Sequence, residues 1–470
     1  MKRLLTGLFL IALIVLYTVK SGSLKAHNLS ENDHLERHDQ KRIVLITFDT
    51  LRYDHLGCAG YERNTSPNID AFARKGVLFT EAYSALPTTD PAHTSILTGL
   101  YPRVHGIMGN GYEITRDDIF SLALWAKNIG IEETAAIVSR AHLNPQELGI
   151  KGFDYISAPE DERSADKTFH IVKNWLRENG KKSYFLWIHF FDPHYDYNPP
   201  YPFNSIYNDG YRGQIPKDRE FLDDPPLKYN PQEIEYMISL YDGEIAFMDY
   251  YFGKTIREIE GYIREGESLP LYVVVSDHGE DMAELQEREN YAFDHGEYLF
   301  NPTIKVLTVF RWDNKIKSGK RIGMPIQQID IAPTIVELCE GNPFSFTFNG
   351  KSLANMLRGE MTSSDRERHI FVQRRKAKTI LRPFLAEEQI ALIDSPWKLI
   401  ASFPSERVEL YNLDEDRNEI HNVAFENKGR AISMLNEIKM FREKYPYDYS
   451  FSPEISPEKS RDLKALGYIQ

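Results

Sequence analysis

The sequence predicts an α/β fold: a three-layer sandwich with a large, mostly parallel (mixed) central sheet, followed by a small C-terminal α+β subdomain with an antiparallel sheet. Short apolar runs alternate with helical patterns along the first two thirds of the chain, as expected for strands buried on both faces of a parallel sheet. After about residue 345 the pattern changes to shorter strands and one terminal helix. With 470 residues, of which 42% are hydrophobic, the chain can build one large core and a smaller one.

The predicted elements of the large sheet begin with the almost wholly apolar run 43–48, which ends at Asp49. The remaining predicted strands of this sheet are 77–80, 134–139, 184–189 and 271–276. The predicted helices are 66–76, 89–99, 119–129, 164–179 and 234–259, the last with apolar residues at steps of three and four. Because chemistry collects where parallel strands end, Asp49, His189 and Asp277 mark a candidate active site.

The C-terminal part predicts a small antiparallel sheet that is covered by a helix. The predicted strands are 368–372, 389–393, 397–400 and 409–413, and the predicted helix is 430–444. We therefore expect a catalytic domain over residues 41–345 and a C-terminal subdomain over residues 346–470.

The first 26 residues predict an export signal or an N-terminal membrane anchor. Lys2 and Arg3 precede an apolar run of 16 residues, 4–19, which fits a secretory signal. This run falls slightly short of the roughly 20 residues that span a bilayer. Residues 27–40 are polar and predict a tether. We expect an exported protein, either periplasmic or attached to a membrane through residues 4–19, with its catalytic domain outside the cytoplasm.

Charge and cysteine content restrict the function. The net charge of −13 argues against a nucleic-acid partner, because phosphate backbones are bound by basic surfaces. Cys58 and Cys339 are too few for a disulfide framework. We expect two buried free thiols, with a single bridge as the alternative in an exported protein.

Residues 83–99 carry the most informative pattern of the chain. Asp90 suits the N-cap of a helix, Pro91 its first position and Gly99 its C-terminal end. This places the hydroxyl of Thr89 at the positive end of a short helix, where an alkoxide or a tetrahedral anion is stabilised. Taken alone, the segment also fits a surface turn that opens an ordinary helix.

The same segment resembles the signature of the sulfatase and alkaline phosphatase superfamily, Cys/Ser-x-Pro-Ser-Arg followed by Leu-Thr-Gly. Here it reads Thr89-Asp90-Pro91-Ala92-His93 and then Ile96-Leu97-Thr98-Gly99. Further motifs follow the order of the family: Phe48-Asp49-Thr50, Asp54-His55-Leu56-Gly57, Leu100-Tyr101-Pro102, Phe191-Asp192-Pro193-His194, Tyr241-Asp242-Gly243-Glu244, Ser276-Asp277-His278-Gly279, Asp294-His295-Gly296 and Asp330-Ile331-Ala332-Pro333. Each motif is weak alone, but together they make the chain resemble the sulfatase family over nearly its whole length.

The resemblance implies one divalent metal ion held by Asp49, Asp277 and His278, with Thr89 as a further ligand. Two carboxylates and an imidazole suit Zn²⁺ or Mn²⁺, whereas an all-oxygen site would suit Ca²⁺ better. Thr50 stands where a second metal-binding aspartate is usual. We expect Zn, Mn or Ca at this site.

The resemblance also implies roles for four histidines. His194 and His295 match positions that contact the charged oxygens of the ester and protonate its leaving group, so together with Thr89 they are the expected catalytic residues. The expected substrate-binding residues are His194 and His295 with His189 and His93. His93 stands where sulfatases keep an arginine, and either orients Thr89 or binds substrate.

Departures from the sulfatase pattern favour phosphate esters over sulfate esters. Sulfatases oxidise a cysteine or serine to formylglycine, and Thr89 is not the ordinary substrate of that maturation. We expect a metal-dependent hydrolase or transferase that cleaves phosphate mono- or diesters through a covalent phospho-threonine, acting on a small-molecule, glycan or lipid-headgroup ester. Two alternatives stay open: a sulfuric ester hydrolase without formylglycine, and an inactive binding homologue.

Overall fold

The computed structural model describes residues 41–114, 116–208, 210–211, 228–340, 346–362, 368–374 and 386–448. The predicted export signal or anchor (1–26) and the predicted tether (27–40) lie outside the described residues. The described residues belong to one compact unit. Among their helices, none combines the length and the apolar character needed to cross a bilayer.

A central sheet of eight strands organises the described part of the larger domain. The strands of this sheet and of a small two-stranded sheet are β1 (Arg42–Phe48), β2 (Val77–Phe79), β3 (Ala82–Tyr83), β4 (Glu133–Ile137), β5 (Tyr155–Ser157), β6 (Tyr184–Phe190), β7 (Leu271–Ser276), β8 (Thr308–Arg311), β9 (Lys320–Ile322) and β10 (Ile326–Gln327). The order across the large sheet is β5-β4-β6-β1-β7-β8-β2-β9, and β3 pairs with β10. β1 runs parallel to β6 and β7, whereas β8 runs antiparallel to β7 and β2. The predicted mixed, mostly parallel sheet is confirmed.

Helices cover both faces of this sheet. They are α1 (Pro67–Ala73), α2 (Thr89–Thr98), α3 (Pro102–His105), α4 (Leu122–Asn128), α5 (Ala165–Asn179), α6 (Pro231–Glu260), α7 (Gln286–Glu289), α8 (Asn301–Ile304), α9 (Ile331–Glu340) and α10 (Ala354–Arg358). Successive residues of β1 point into different cores: Ile46 packs in the core that includes α5 and α6, and Leu45 in the core that includes α2, α4 and α9. The sheet is therefore the middle layer of the domain.

The residues around the N-terminus of the long helix α6 determine where this helix begins. Asn230 is its N-cap: the side chain accepts the N–H groups of Gln232 and Glu233 at 2.9 and 3.0 Å, and Glu233 in turn accepts the N–H of Asn230 at 2.7 Å. Pro231 occupies the first helical position, where no N–H is needed. The helix therefore begins three residues before the predicted start at residue 234, because its first turn is capped by polar groups and carries no apolar periodicity.

The C-terminal sheet is antiparallel, with the strand order β11 (Ile370–Gln373), β12 (Glu388–Asp394), β13 (Trp397–Phe403) and β14 (Val408–Asn412). The helix α11 (Lys428–Lys444) covers one face, where Ile438 packs in a core with Leu399 and Leu410. The other face packs against Leu299 and Phe300, a few residues after His295. The predicted antiparallel C-terminal sheet with its covering helix is confirmed.

Candidate metal centre and active site

Three parallel strands end side by side at the candidate site. The N–H of Asp49, which follows β1, donates to the carbonyl oxygen of Phe190 at 2.9 Å, and the N–H of Asp277, which follows β7, donates to that of Phe48 at 3.0 Å. These bonds extend the pairing of β1 with β6 and β7 by one residue. The chain is thus held in register up to the two aspartates, and their carboxylates lie next to each other.

Asp49, Asp277 and His278 form a fully buried group in which each residue offers one ligand atom, all within 4.8 Å of one another. Nε2 of His278 lies 3.3 Å from Oδ2 of Asp277 and 3.4 Å from the hydroxyl oxygen of Thr89. Both carboxylate oxygens of Asp49 and Oδ2 of Asp277 are buried without a hydrogen-bond partner among the described residues. Because such oxygens are costly to bury unpaired, this donor set fits a divalent cation.

The two aspartates differ in their affinity for protons. Burial and the neighbouring charge of Asp49 raise the pKa of Asp277 well above its ordinary value. Burial acts in the same direction on Asp49, but the neighbouring rings of His189, His194 and His278 outweigh it and lower the pKa of Asp49. Without a cation, one of two close carboxylates therefore prefers to be protonated, and a bound cation favours the loss of that proton.

Thr89 is the first residue of α2 and is fully buried. The N-cap of this helix is Thr88, so the prediction that Asp90 caps it is wrong. Asp90 lies inside the first turn, where its carboxylate accepts the N–H of Gly111 at 2.7 Å and contacts Nδ1 of His142 at 2.5 Å. These tertiary partners hold Asp90 away from the capping geometry. The Thr89 hydroxyl remains at the N-terminal end of α2, where the helix dipole favours an anion.

His93 and His189 are fully buried and contact other parts of the site. Nδ1 of His93 lies 2.8 Å from the carbonyl oxygen of Thr89, and Nε2 lies 3.0 Å from the hydroxyl oxygen of Thr47 in β1. Nε2 of His189 lies 3.4 Å from Oδ2 of Asp49. Of the two expected roles of His93, these contacts fit the orientation of Thr89. Substrate contact by either ring stays a prediction.

The rings of His194 and His295 lie close together, with their centroids 5.3 Å apart. The ring centroid of His295 is 4.4 Å from that of His278, which belongs to the metal-binding group. Nδ1 of His194 lies 2.6 Å from the carbonyl oxygen of Tyr195, and Nδ1 of His295 lies 3.1 Å from Oε1 of Glu280. Burial lowers the pKa of His194 to about 3. Burial acts in the same direction on His295, but Glu280 outweighs it and raises the pKa of His295. Of the two rings, His295 is the better proton donor.

Arg140 and His142, which follow β4, were not among the residues predicted for the site. The Arg140 side chain is 1% exposed, and its guanidinium lies 4.6 Å from the ring centroid of Phe191. Its Nη1 pairs with Asp161 and Glu162, while Nε and Nη2 are buried without a partner among the described residues. β4 runs parallel to β6, so its C-terminal end lies at the same edge of the sheet as Asp49. The strand-end argument that singled out Asp49 could therefore have found Arg140.

Comparison with known proteins agrees with this fold. The sulfatase family model matches residues 41–341, and a model of the C-terminal region of N-sulphoglucosamine sulphohydrolase matches residues 289–444. The chain belongs to the sulfatase family, hydrolases of the alkaline phosphatase superfamily.

Individual relatives include both sulfatases and phosphonate hydrolases. An ulvan-active sulfatase of Formosa agariphila is 23% identical over 373 residues, which cover 76% of this chain and 66% of that protein, slightly less than two thirds of it. The structure of a phosphonate monoester hydrolase of Agrobacterium radiobacter aligns with a TM-score of 0.69 and 19% identity, covering 86% of this chain and 96% of that one. A 2-O GAG sulfatase aligns with a TM-score of 0.67 and 15% identity, covering 89% and 96%. The two structures show the shared fold alone.

Proposed function

We propose that this protein is a metal-dependent hydrolase or transferase that cleaves phosphate esters with Thr89 as the nucleophile. The observation that carries the proposal is the placement of the Thr89 hydroxyl at the start of α2, 3.4 Å from Nε2 of His278. His278 belongs to the buried group with Asp49 and Asp277, in which both oxygens of Asp49 and Oδ2 of Asp277 make no hydrogen bond among the described residues. Asp49, Asp277 and His278 would hold one Zn²⁺, Mn²⁺ or Ca²⁺ ion, with Thr89 as a further ligand. The ion would lower the pKa of the hydroxyl and offset the negative charge of the ester.

The side chains around Thr89 suit a two-step transfer. Arg140 and His194 bind the charged oxygens of the ester, and the hydroxyl proton of Thr89 passes to solvent. Oγ1 of Thr89 then bonds to phosphorus while the bond from phosphorus to the leaving oxygen breaks, and His295 gives its proton to that oxygen. Water or a second alcohol next loses its proton to His295 and bonds to phosphorus, and the bond to Thr89 breaks. Thr89 regains a proton from solvent, which restores the starting state.

The residue type at position 89 supports phosphate over sulfate. A sulfatase uses a hydrated aldehyde as its nucleophile, whereas oxidation at Cβ of Thr89, which carries a methyl group, would give a ketone. A direct threonine nucleophile matches phosphoryl transfer, which proceeds readily through an ester of a side-chain hydroxyl. The second candidate is hydrolysis of sulfate esters by Thr89 without formylglycine, and it is supported by the sulfatase names among the relatives.

The substrate class and location complete the proposal. The substrate is an ester of a small molecule, a glycan or a lipid headgroup, and the protein is exported, with residues 1–26 as the signal or anchor and 27–40 as the tether. The catalytic domain spans residues 41–345, and the C-terminal subdomain spans 346–470. The contact of the C-terminal sheet with Leu299 and Phe300 supports a role of that subdomain in holding the segment of His295.

Trapping of the covalent intermediate tests the proposal. Protein that is mixed with a slow phosphodiester and quenched in acid should carry phosphate on Thr89, as mass spectrometry of its peptides would show. Thr89→Ala should abolish both labelling and turnover, while Thr89→Ser, which keeps a hydroxyl, should retain part of each. Aryl phosphate and aryl sulfate turnover are measured on the same preparation. Robust sulfate release without phosphoesterase activity would establish the second candidate in place of the first.

A further inference from the structure

A cavity of about 590 Å³ lies beside His194, and its wall is strongly acidic. The acidic residues that line it are Glu162, Asp166, Asp192, Asp196 and Glu244. Arg163 and His194 line it as well, but the low pKa of His194 leaves that ring neutral. Arg140 pairs with Glu162 and offsets one of these charges. The remaining carboxylates disfavour an anionic ester beside them unless a further positive group lies between them.

Two of these carboxylates, Asp192 and Glu244, are withdrawn from solvent. Glu244 is 6% exposed; one of its oxygens accepts the N–H of Asn198 at 2.8 Å, and the other makes no hydrogen bond within the described part of the chain. Oδ1 of Asp192 accepts the N–H of Ala165 at 2.8 Å, while Oδ2 is buried without a partner among the described residues. Burial raises the pKa of Asp192 to about 7, and burial together with Asp192 raises that of Glu244. The pair therefore lacks a positive partner.

The cations beside this cavity in the described part of the chain are engaged elsewhere. The ammonium group of Lys254 lies 4.7 Å from the ring centroid of Phe169 and 4.9 Å from that of Tyr251. Arg163 donates to two backbone carbonyl oxygens, those of Val138 and Ser157. Arg140 pairs with Glu162 at 3.0 Å, at the exposed end of the acidic wall. Neither Asp192 nor Glu244 forms an ion pair with any of the described residues.

The rest of the lining suits an organic cation. Aromatic side chains line the cavity next to the carboxylates. They are Phe203 and Phe247, together with three rings that lie against cations of the chain: Phe191 beside Arg140, and Tyr250 and Tyr251 beside Lys254. Aromatic faces attract ammonium groups and the carbon atoms attached to them. A second metal ion fits poorly, because the metal-type cluster found among the described residues is that of Asp49, Asp277 and His278, and it includes none of this pair.

We propose that the cavity binds an ammonium group carried by the substrate, so that the enzyme acts on zwitterionic esters of amino alcohols. Asp192 and Glu244 pair with the ammonium group, the aromatic rings contact its carbon atoms, and the anionic group of the same molecule lies at Thr89. The inference rests on the proposed function, because it assumes that an anionic ester is cleaved at Thr89.

Binding of matched probes to the metal-loaded, full-length protein tests this inference without turnover. 2-Aminoethylphosphonate and propylphosphonate have the same size and differ in the ammonium group, as do 2-aminoethanesulfonate and propanesulfonate. Calorimetry should find that each ammonium probe binds about tenfold or more tighter than its uncharged counterpart. The same comparison with probes that are one carbon longer tests a greater distance between the ammonium group and the anionic group.

Two variants locate the effect. Asp192→Asn with Glu244→Gln keeps the acceptors for Ala165 and Asn198 but removes both charges, so the affinity ratio should fall to about one. Asp166→Asn, at a half-buried carboxylate of the same wall, is the matched control and should leave most of the ratio intact. If the double variant does not fold, the affinity ratio is compared between the wild-type protein and each single variant, and a ratio that is the same in all three would contradict the inference.

The outcomes separate the inference from the proposed function. Equal affinity of the ammonium probes and their counterparts, or a ratio unchanged in the double variant, would overturn the inference. An ammonium preference in both series without phosphoester turnover would overturn the proposed function alone. Glycerophosphoethanolamine and a short-chain phosphatidylethanolamine, compared as substrates, then distinguish a free headgroup from a lipid.

Discussion

The backbone N–H of Thr50 donates a hydrogen bond to Oδ1 of Asp277 at 3.0 Å. Thr50 has a φ of 48°, in the left-handed region that β-branched residues rarely adopt. The position where the family usually keeps a second metal-binding carboxylate therefore contributes a main-chain donor. This donor orients Asp277, whose Oδ2 is left for a cation.

Restoring the carboxylate should change the metal preference. Thr50→Asp adds an anionic oxygen beside Asp49 and Asp277, and aspartate tolerates a positive φ better than threonine does. We expect tighter binding of Ca²⁺, by about tenfold or more, because hard cations gain most from additional oxygen ligands. Chelator competition measures this affinity. Thr50→Asn relieves the same strain without the charge, so equal Ca²⁺ affinity in the two variants would contradict the prediction.

Asp277→Asn should stabilise the protein when metal is removed and destabilise it when metal is present. In a chelator, the variant removes one of two buried carboxylates that face each other without a cation, so its melting temperature should exceed that of the wild type. With metal at 100 times its Kd, the wild type gains about 2.7 kcal/mol that the variant largely loses. Thermal unfolding under both conditions checks whether the order of the two melting temperatures reverses. A variant that is less stable in both would show that Asp277 acts mainly through its hydrogen bonds.

Arg140→Met should separate activity from stability. The variant removes two buried nitrogens that have no partner among the described residues, so stability should hold or rise. The enzyme would lose a ligand for the charged oxygens of the ester, and kcat/KM should fall about 10²–10³-fold.

Arg163→Met is the matched control for this prediction. Both terminal nitrogens of Arg163 are hydrogen bonded, to Val138 and Ser157, so its loss should cost about 1–3 kcal/mol of stability. Denaturant unfolding gives the free energy of unfolding of each variant, and steady-state kinetics gives its kcat/KM. The assignment of Arg140 fails if its variant is the destabilised one and keeps full activity.

The role of His295 should depend on the leaving group. A proton donor matters for an alkoxide that leaves poorly and little for nitrophenolate, so His295→Ala should lose about 10²–10⁴-fold with alkyl esters and much less with nitrophenyl esters. Glu280→Gln, which keeps an acceptor for Nδ1 but no charge, should show a smaller loss with the same trend. Rates over a series of leaving groups measure this dependence. Equal losses across the series would mean that His295 binds the ester without protonating it.

The residues that follow the predicted strands allowed most of the site to be predicted. The buried runs 43–48 and 271–276 correspond to β1 and β7, and the aspartates after them meet because the two strands are parallel neighbours. The strands β3, β5, β8, β9 and β10 were not predicted, because each has only two to four residues and is stabilised by its neighbours in the sheet rather than by its own pattern.

The sequence could not predict which side chains contact each other across the fold. Asp90 fits an N-cap by sequence, but Gly111 and His142 hold its carboxylate elsewhere, and neither partner is visible in the local pattern. Arg140 follows a strand as Asp49 does, but the sequence does not show what its side chain contacts. Its missing partners become evident only when the packing around its guanidinium is known.

The donors of the metal centre are far apart in the order of synthesis. Asp277 lies 227 positions after Thr50, the residue that follows Asp49, and Thr89 lies between the two aspartates. A growing chain thus presents its first aspartate long before the second exists, and β1 cannot pair with β7 until then. An ion held by both aspartates would therefore bind only after β7 has been synthesised. The compartment in which folding finishes, rather than the one in which translation occurs, would then decide which metal such a site receives.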